Sequence, residues 1–248
     1  MSPEIIYEDE NVLVLNKPSG LVVHDDGKER EDKEETLCDW VMKEFPEIEN
    51  VGEPMDIKGE IIKRPGIVHR LDKETSGVII LAKNQDSFNF LKNQFQERLA
   101  KKVYCAVVWG NIKNDSGVVD APIGRNGKDF RQWSATRGAR GLLREAVTEY
   151  KVISRFEEDG EKFVFLEVRP KTGRTHQIRV HMKYLNNPIV GDKLYAENRP
   201  YVLGFERVAL HARSLTIEIP EKSLSAGAEV KTFDAPYPED FLGFITRL

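Results

Sequence analysis

Cysteine and histidine are scarce in this chain, which has two cysteines and five histidines among its 248 residues. Cys38 and Cys105 lie far apart and form no C-x-x-C pair, so the sequence predicts neither a zinc ribbon nor a disulfide framework. Because no disulfide framework is indicated, a reducing compartment is the simpler interpretation.

Long apolar runs are missing as well. No stretch approaches the roughly 18 apolar residues of a membrane helix, and the N-terminus has early acidic residues where a signal peptide has basic and then apolar ones. We therefore expect a soluble, cytoplasmic protein that does not act at a membrane.

An excess of positive charge is also absent, since 37 lysines and arginines stand against 41 acidic residues and the formal net charge is −4. Attraction to phosphate scales with the positive charge that a protein presents. The composition therefore argues against indiscriminate nucleic-acid binding, and any RNA surface must be local.

Several common catalytic motifs do not occur. There is no G-x-S-x-G elbow and no glycine-rich GKS or GKT loop, which removes the motif support for serine hydrolases and nucleotide triphosphatases. His176 and His181 are five residues apart, which turns their side chains about 140° apart on a helix. No carboxylate or cysteine pair supplies further ligands, so we expect no metal and interpret His181 as a core or supporting histidine.

Apolar patterns predict more strands than helices. Asp86 to Leu99 has its apolar residues at helical spacing, and Phe88, Leu91, Phe95 and Leu99 are expected to be core. The charged run from Lys28 to Glu35 predicts a solvated loop. Predicted strands are Glu4 to Tyr7, Val12 to Leu15, Val78 to Ala82, Lys101 to Trp109, Val147 to Ile153, Phe163 to Val168 and Leu215 to Ile219; predicted helices are Thr36 to Phe45, Asp86 to Leu99 and a helix capped by Thr175 that ends at Asn187.

Strands and helices do not alternate regularly, which favours an α+β fold over a doubly wound parallel sheet. The length fits one large domain or two small ones. Because no repeat and no low-complexity linker interrupts the chain, we expect one catalytic domain over residues 1–248.

Three polar segments are candidates for chemistry. Gly66 to Gly77 (GIVHRLDKETSG) places Asp72 in a turn before a buried strand, where it either forms a structural Asx turn, which the spacing alone favours, or is held to react. Arg169 to Lys183 carries five basic residues and no acid, a pattern typical of phosphate binding at a helix start. Gly124 to Trp133, followed by Arg137 and Arg140, fits an RNA clamp or an exposed loop pinned by two aromatic residues equally well.

Together these segments resemble the RluA-type pseudouridine synthases. The resemblance rests on HRLDKETSG, KKVYCAVVWG and PKTGRTHQIRVHM with PIVGDKLY, in that order, and extends from about residue 5 to the terminal APYPEDF. Three long motifs in order are far more specific than one short pattern. The resemblance implies a pseudouridine synthase fold, which is a mixed and largely antiparallel sheet with flanking helices and a central RNA cleft, and no cofactor.

The resemblance also assigns roles. Asp72 corresponds to the essential aspartate, Tyr104 to the ring beside the target base, and Arg179 to the basic partner of the aspartate. Forming pseudouridine breaks the N1 to C1′ bond and rejoins uracil through C5, and a carboxylate serves there as nucleophile or base. Whether Asp72 attacks uracil C6, attacks ribose C1′ or removes a ribose proton stays open.

Other residues are assigned to RNA binding and to support of the site. A stacked uridine must be extruded before it reacts, and by resemblance Arg70 occupies the vacated space. Leu210 resembles the apolar residue under the catalytic tyrosine, while Thr75, Ser76 and His69 are expected to set the turn. The expected RNA-binding residues are Arg70, His69, Arg125, Arg131, Lys171, Arg174 and His176.

The expected partner is RNA, with large-subunit ribosomal RNA favoured by the resemblance and transfer RNA kept open. We expect a monomer without an obligatory protein partner and without the N-terminal S4 domain that many relatives carry. A catalytically silent RNA-binding or ribosome-assembly factor of the same fold is the main alternative. A metal-dependent RNA hydrolase is a weaker alternative, since it needs clustered ligands that the sequence does not offer.

Overall fold

The computed structural model describes residues 2–25, 35–57, 59–135, 139–221 and 227–246. Lys28 to Glu34, most of the run predicted to be a solvated loop, lie outside these ranges, as does Arg137. The strands of the described residues are β1 Glu4–Glu8, β2 Val12–Lys17, β3 Met55–Ile57, β4 Glu60–Ile62, β5 Ser76–Ala82, β6 Lys101–Trp109, β7 Ser116–Asp120, β8 Ile123–Asn126, β9 Trp133–Ser134, β10 Ala139–Arg144, β11 Val147–Glu158, β12 Glu161–Pro170, β13 Leu210–Pro220 and β14 Ala228–Asp234. The helices are α1 Leu37–Glu44, α2 Gln85–Gln96, α3 Gln177–Tyr184 and α4 Glu239–Ile245, with a 3-10 turn at Pro46–Ile48.

The chain divides into two compact units. The first comprises Met1–Lys101 with Ser214–Pro236, and the second comprises Lys102–Arg213 with Tyr237–Leu248, so that β13 begins in the second unit and ends in the first. Antiparallel pairing predominates in both, and the predicted α+β class is confirmed. No helix of the described ranges is long and apolar enough to cross a membrane.

The first unit contains a sheet with the strand order β1-β2-β5-β13, and β14 pairs with β13. Every residue of β5 is buried, as are the four apolar residues of β2, which is why both strands read as continuous apolar runs. The predicted start of α1 at Thr36 is confirmed by a capping box, in which the Thr36 hydroxyl accepts from the Asp39 N–H and the Asp39 carboxylate accepts from the Thr36 N–H.

Helix α2 corrects one prediction about the core. Phe88 and Leu91 are buried as expected, but Phe95 is only partly buried and Leu99 is 58% exposed. The helix ends at Gln96, and Arg98 takes a left-handed conformation with φ 62°, so Leu99 leaves the apolar stripe. The polar residue Gln94 is buried instead, and its side chain binds both the N–H and the carbonyl of Glu218 on β13.

The second unit contains a sheet with the strand order β13-β6-β12-β11-β7. Both faces of β6 are buried from Cys105 to Trp109, as its apolar alternation predicts. Helix α4, which the sequence analysis did not predict, packs Phe241 and Phe244 onto this core. The unit thus has its own hydrophobic centre beneath Tyr104.

A separate three-stranded sheet, with the order β10-β8-β9, is called the small sheet below. Its Ile123 packs with Val180 of α3 and with Tyr195 in a cluster of their own. The Gln132 side chain donates to the carbonyl of Leu194, and the Trp133 N–H donates to the Tyr195 hydroxyl. These contacts anchor the base of the small sheet on the second unit.

His181 lies on the apolar face of α3, as predicted, and is fully buried. Its Nδ1 lies 2.8 Å from the Thr148 hydroxyl and its Nε2 3.0 Å from the Ala121 carbonyl, which fits a neutral ring that donates from Nε2. Burial lowers the pKa of His181 below its ordinary value of 6.5, although the Ala121 carbonyl and Asp120 act the other way. The ring is therefore a structural link between α3, β11 and the end of β7.

We expect His181 to make the protein less stable in mild acid. The unfolded chain takes up this proton more readily than the folded one. The contribution of His181 to the free energy of unfolding is therefore fully present above about pH 6.5. It falls by up to ~1.4 kcal/mol per pH unit as the pH drops towards the pKa of the folded state. Urea unfolding of wild type and His181→Gln at pH 7.5 and 5.5 measures this effect. The difference in stability between the two proteins should shrink at the lower pH, whereas a constant difference would contradict the assignment.

Candidate active site and RNA interface

Asp72 lies in the turn that leads from Gly66 into β5. The Thr75 N–H donates to the main-chain carbonyl of Asp72 at 3.1 Å, and Leu71 and Thr75 are buried on either side of the half-buried Asp72. Ser76 is buried as well and begins β5. The turn thus holds the Asp72 backbone just before the start of the fully buried strand β5.

Two contacts hold this motif against β5. Gly66 has φ 64° and approaches so closely that an added Cβ would lie 2.2 Å from the Ala82 carbonyl oxygen, so only glycine fits. The Nε2 atom of His69 accepts from the Ile80 N–H at 3.1 Å, and its ring stacks on Phe95 at 4.4 Å. These contacts fit the predicted role of His69 in setting the turn.

Lys17, at the end of β2, is a supporting residue that the sequence analysis missed. Its side chain is fully buried, and its ammonium donates to the carbonyls of Pro18, Leu21 and Lys73 at 2.8, 2.8 and 3.1 Å. Lys73 directly follows Asp72, so this ammonium ties the candidate catalytic turn to β2. A lysine is almost never fully buried unless it is paired, and nothing in the NKPSG segment predicts that it would be.

Lys17→Met is expected to loosen the Asp72 turn. It leaves three carbonyls without their charged donor, which we expect to lower the free energy of unfolding by about 3 kcal/mol and to reduce kcat more than it raises KM. Urea denaturation and steady-state kinetics measure both effects. Lys63→Met is the control, because Lys63 forms an exposed pair with Glu49 and should cost less than ~1 kcal/mol. Equal decreases in the free energy of unfolding and in kcat for the two variants would contradict the role of Lys17.

Two arginines, Arg64 and Arg70, precede Asp72 in the chain. Arg70 is exposed, as a residue that enters RNA must be. Burial lowers the pKa of Arg64, and the neighbouring charge of Arg70 lowers it further. The nearby Glu53 carboxylate acts in the opposite direction and raises the pKa of Arg64.

Tyr104 and Leu210 belong to the core of the second unit. Tyr104 pairs with Val168 across β6 and β12, and its partly buried ring packs on the cluster that contains the buried Leu210. Packing of Leu210 directly under the Tyr104 ring stays a prediction.

Arg179 projects from α3 into a buried ion pair. Its Nε and Nη2 atoms donate to the two carboxylate oxygens of Asp192 at 2.8 and 2.9 Å, and the side chains are 7% and 0% exposed. The Asp192 carboxylate also accepts from the N–H groups of Leu194 and Tyr195. Asp192 therefore fixes the plane of the Arg179 guanidinium, whose expected pairing with Asp72 stays a prediction.

Gly191 and Tyr195 complete this arrangement. Gly191 has φ 74°, and an added Cβ would lie 1.9 Å from the Arg207 carbonyl oxygen, so the turn before Asp192 requires glycine. The Tyr195 ring lies 5.1 Å from the Arg179 guanidinium carbon. Asp192 and Tyr195 lie in the PIVGDKLY segment, but no role was predicted for either, because periodicity does not reveal contacts across a turn.

His176 corrects the predicted start of α3. The helix is capped by His176 in a left-handed conformation with φ 54°, not by Thr175, and His176 makes no side-chain capping bond. Its Nδ1 lies 2.9 Å from the Tyr195 hydroxyl, whose oxygen accepts from the Trp133 N–H. His176 thus joins α3 to the small sheet.

The other expected RNA-binding residues of the second unit make contacts within the protein. Lys171 pairs with Glu149 at 2.8 Å, and Arg174 donates to the Glu145 carbonyl at 2.9 Å. In the small sheet, the Arg125 guanidinium lies over the Trp133 ring at 4.3 Å, and Arg131 pairs with Asp129 through two nitrogens. RNA contact by these four basic residues stays a prediction.

Comparison with known proteins identifies the family. A family model described as RNA pseudouridylate synthase matches residues 11–184. An uncharacterised RNA pseudouridine synthase of Bacillus subtilis is 39% identical over the full chain and 73% of its own length. A ribosomal large subunit pseudouridine synthase D of Borreliella burgdorferi is 38% identical over 98% of the chain and 68% of its own length, and one of Pseudomonas aeruginosa is 38% identical over 99% and 71%.

A solved structure is also similar. The human RNA pseudouridylate synthase domain containing 4 superimposes with a TM-score of 0.70 at 26% identity, covering 99% of this chain and 92% of that one. These matches identify an isomerase that acts on RNA. The chain belongs to the RNA pseudouridylate synthase family, of the RluA type.

Proposed function

We propose that the protein isomerises a specific uridine of large-subunit ribosomal RNA to pseudouridine, with Asp72 as the catalytic carboxylate. The observation that carries the ribosomal assignment is the 38% identity, over 98% of the chain, to a relative named for the large ribosomal subunit. Transfer RNA is the alternative substrate. The whole of residues 1–248 acts as one catalytic domain in this proposal.

Asp72 is proposed because it corresponds to the essential aspartate of the family motif and because main-chain contacts hold its turn. The Thr75 N–H binds the Asp72 main-chain carbonyl, and Lys17 binds the carbonyl of Lys73. Such support fixes the place of the Asp72 backbone, as preorganised catalysis requires. Asp72 then acts as nucleophile or base while the N1 to C1′ bond breaks and C5 takes the place of N1.

The remaining residues are proposed for the binding and handling of the uracil. Tyr104 offers a ring face to the base and a hydroxyl for hydrogen bonding or proton transfer. Arg179, oriented by Asp192, favours the ionised form of the catalytic aspartate. Arg70 fills the space of the extruded uridine, and its exposure is consistent with that role.

Tritium release from C5-labelled uridine tests the proposal, because the hydrogen on C5 is lost when C5 bonds to the ribose. Ribosomal RNA and transfer RNA from a strain that lacks the gene serve as substrates, with a chelator present throughout. Release from ribosomal RNA alone is the expected result. Release from transfer RNA alone would make transfer RNA the assigned substrate. If neither RNA releases tritium although both still bind, a catalytically silent assembly factor is favoured.

A further inference from the structure

The small sheet differs in charge from the rest of the chain. Among the described residues from Ile123 to Arg144, five of the six charged ones are basic, whereas the whole chain has a net charge of −4. A local cluster of cations in an acidic protein gives one surface an attraction for phosphate that the average surface lacks.

Some of these cations build the small sheet. Arg125 lies over Trp133 and also donates to the Phe130 carbonyl at 2.9 Å, and Arg131 is paired with Asp129. Hydrogen bonds from the Asn126 side chain to Gln132 and from the Gln132 N–H to the Asp129 carbonyl close the loop between β8 and β9. The loop therefore has a defined shape before any ligand arrives.

This shape exposes large apolar side chains. Phe130, at the tip of the loop, is 74% exposed, and Leu142 on β10 is 77% exposed. The register of β10 shifts between Arg140 and Arg144, where four steps along β10 match two along β8, so that Leu142 lies in a bulge. Gly141 permits the bulge with φ 75°. Phe130, Leu142 and Leu143 are thus exposed in the same sheet as the exposed cations Lys128, Arg140 and Arg144.

We propose that the small sheet is a binding site for unpaired RNA, in which Phe130 stacks on one base and Leu142 packs against another nucleotide of the same strand. Lys128, Arg140 and Arg144, all exposed, neutralise phosphates, while Arg125 and Arg131 keep the loop in shape. An aromatic ring beside cations is the arrangement that binds single strands without strict sequence preference. The proposal rests on the proposed function for its choice of RNA over an acidic protein surface.

Phe130→Ala is the first test, because it removes the ring and keeps the carbonyl that Arg125 binds. Binding of a fluorescein-labelled oligouridylate, followed by anisotropy over a salt series, should weaken roughly 5- to 100-fold for this variant. The slope of log K against log salt should not change, since no cation is lost. Lys128→Ala should instead make this slope less negative by about 0.7.

Matched controls separate this surface from general effects on binding. Val118→Ser changes an apolar side chain of the same unit that is 63% exposed but lies on β7, and Lys162→Ala removes an exposed cation at the start of β12. Both should bind oligouridylate as wild type does. A fully paired RNA hairpin should lose less affinity from Phe130→Ala than oligouridylate does, because its bases are already stacked.

Unchanged oligouridylate binding by Phe130→Ala and Leu142→Ser would overturn the proposal. So would binding of poly-glutamate, in preference to RNA, that depends on the same residues, since it would indicate an acidic protein partner. Tritium release measured in parallel separates this proposal from the proposed function. If wild type releases no tritium but Phe130→Ala still weakens oligouridylate binding, the RNA surface is supported. The assigned reaction is then contradicted.

Discussion

Asp72→Asn is expected to abolish tritium release, with kcat reduced by roughly four orders of magnitude or more. Asparagine keeps the shape of the side chain but offers neither a nucleophilic oxygen nor a base. The turn should persist, because the Thr75 N–H and the Lys17 ammonium bind main-chain carbonyls. Single-turnover tritium release and RNA affinity measured on the same preparation check the result, and affinity should stay within a few-fold of wild type.

The control for this variant is Asp86→Asn, which makes the same chemical change at an exposed position in the first turn of α2. It should release tritium at the wild-type rate. Asp72→Ala is measured beside Asp72→Asn, so that slow deamidation of the asparagine is not mistaken for residual activity. Activity above a tenth of wild type in Asp72→Ala, with the fold intact, would show that another group performs the chemistry.

Asp192→Asn should be the most destabilising of the substitutions considered. It leaves the Arg179 guanidinium buried without its counter-charge, which typically costs about 3–5 kcal/mol. An asparagine also has one acceptor oxygen where the carboxylate uses two. Its NH₂ group must therefore face either the Arg179 Nε or the Arg179 Nη2 together with the N–H groups of Leu194 and Tyr195. Urea denaturation gives the free energy of unfolding directly.

Asp240→Asn is the matched control. Asp240 binds Arg207 in the same unit with the same two-point geometry, at 2.7 and 2.9 Å, but the side chains are 20% and 13% exposed. Water reaches this pair, so the loss should be smaller than for Asp192→Asn. Equal losses at the two sites would mean that burial does not set the strength of the Arg179 pair.

Local patterns predicted much of the fold. Continuous apolar runs identified β2, β5 and β6, because strands buried on both faces have no polar alternation. Thr36 and Pro46 predicted the two ends of α1, since capping and chain termination depend on neighbouring residues alone. The Asp72 segment was identified by resemblance, whereas spacing alone favoured a structural turn.

What the sequence did not predict depends on distant contacts. The small sheet was read as a loop because β9 has only two residues and β10 is mostly polar or exposed. Leu99 was assigned to the core because the helical stripe does not reveal that α2 ends at Gln96. The contact of Lys17 with the Lys73 carbonyl and that of Arg179 with Asp192 join residues that are distant in the chain. No periodicity of the sequence encodes such contacts.

The two native thiols have a practical consequence for labelling. Cys38 and Cys105 are both free and buried, burial raises the pKa of Cys38 to about 12, and burial also raises the pKa of Cys105. Maleimides and oxidants react with accessible thiolate, which neither residue offers in the folded state. A single cysteine introduced on the exposed surface would therefore accept a fluorophore or spin label selectively, with the wild-type background left in place.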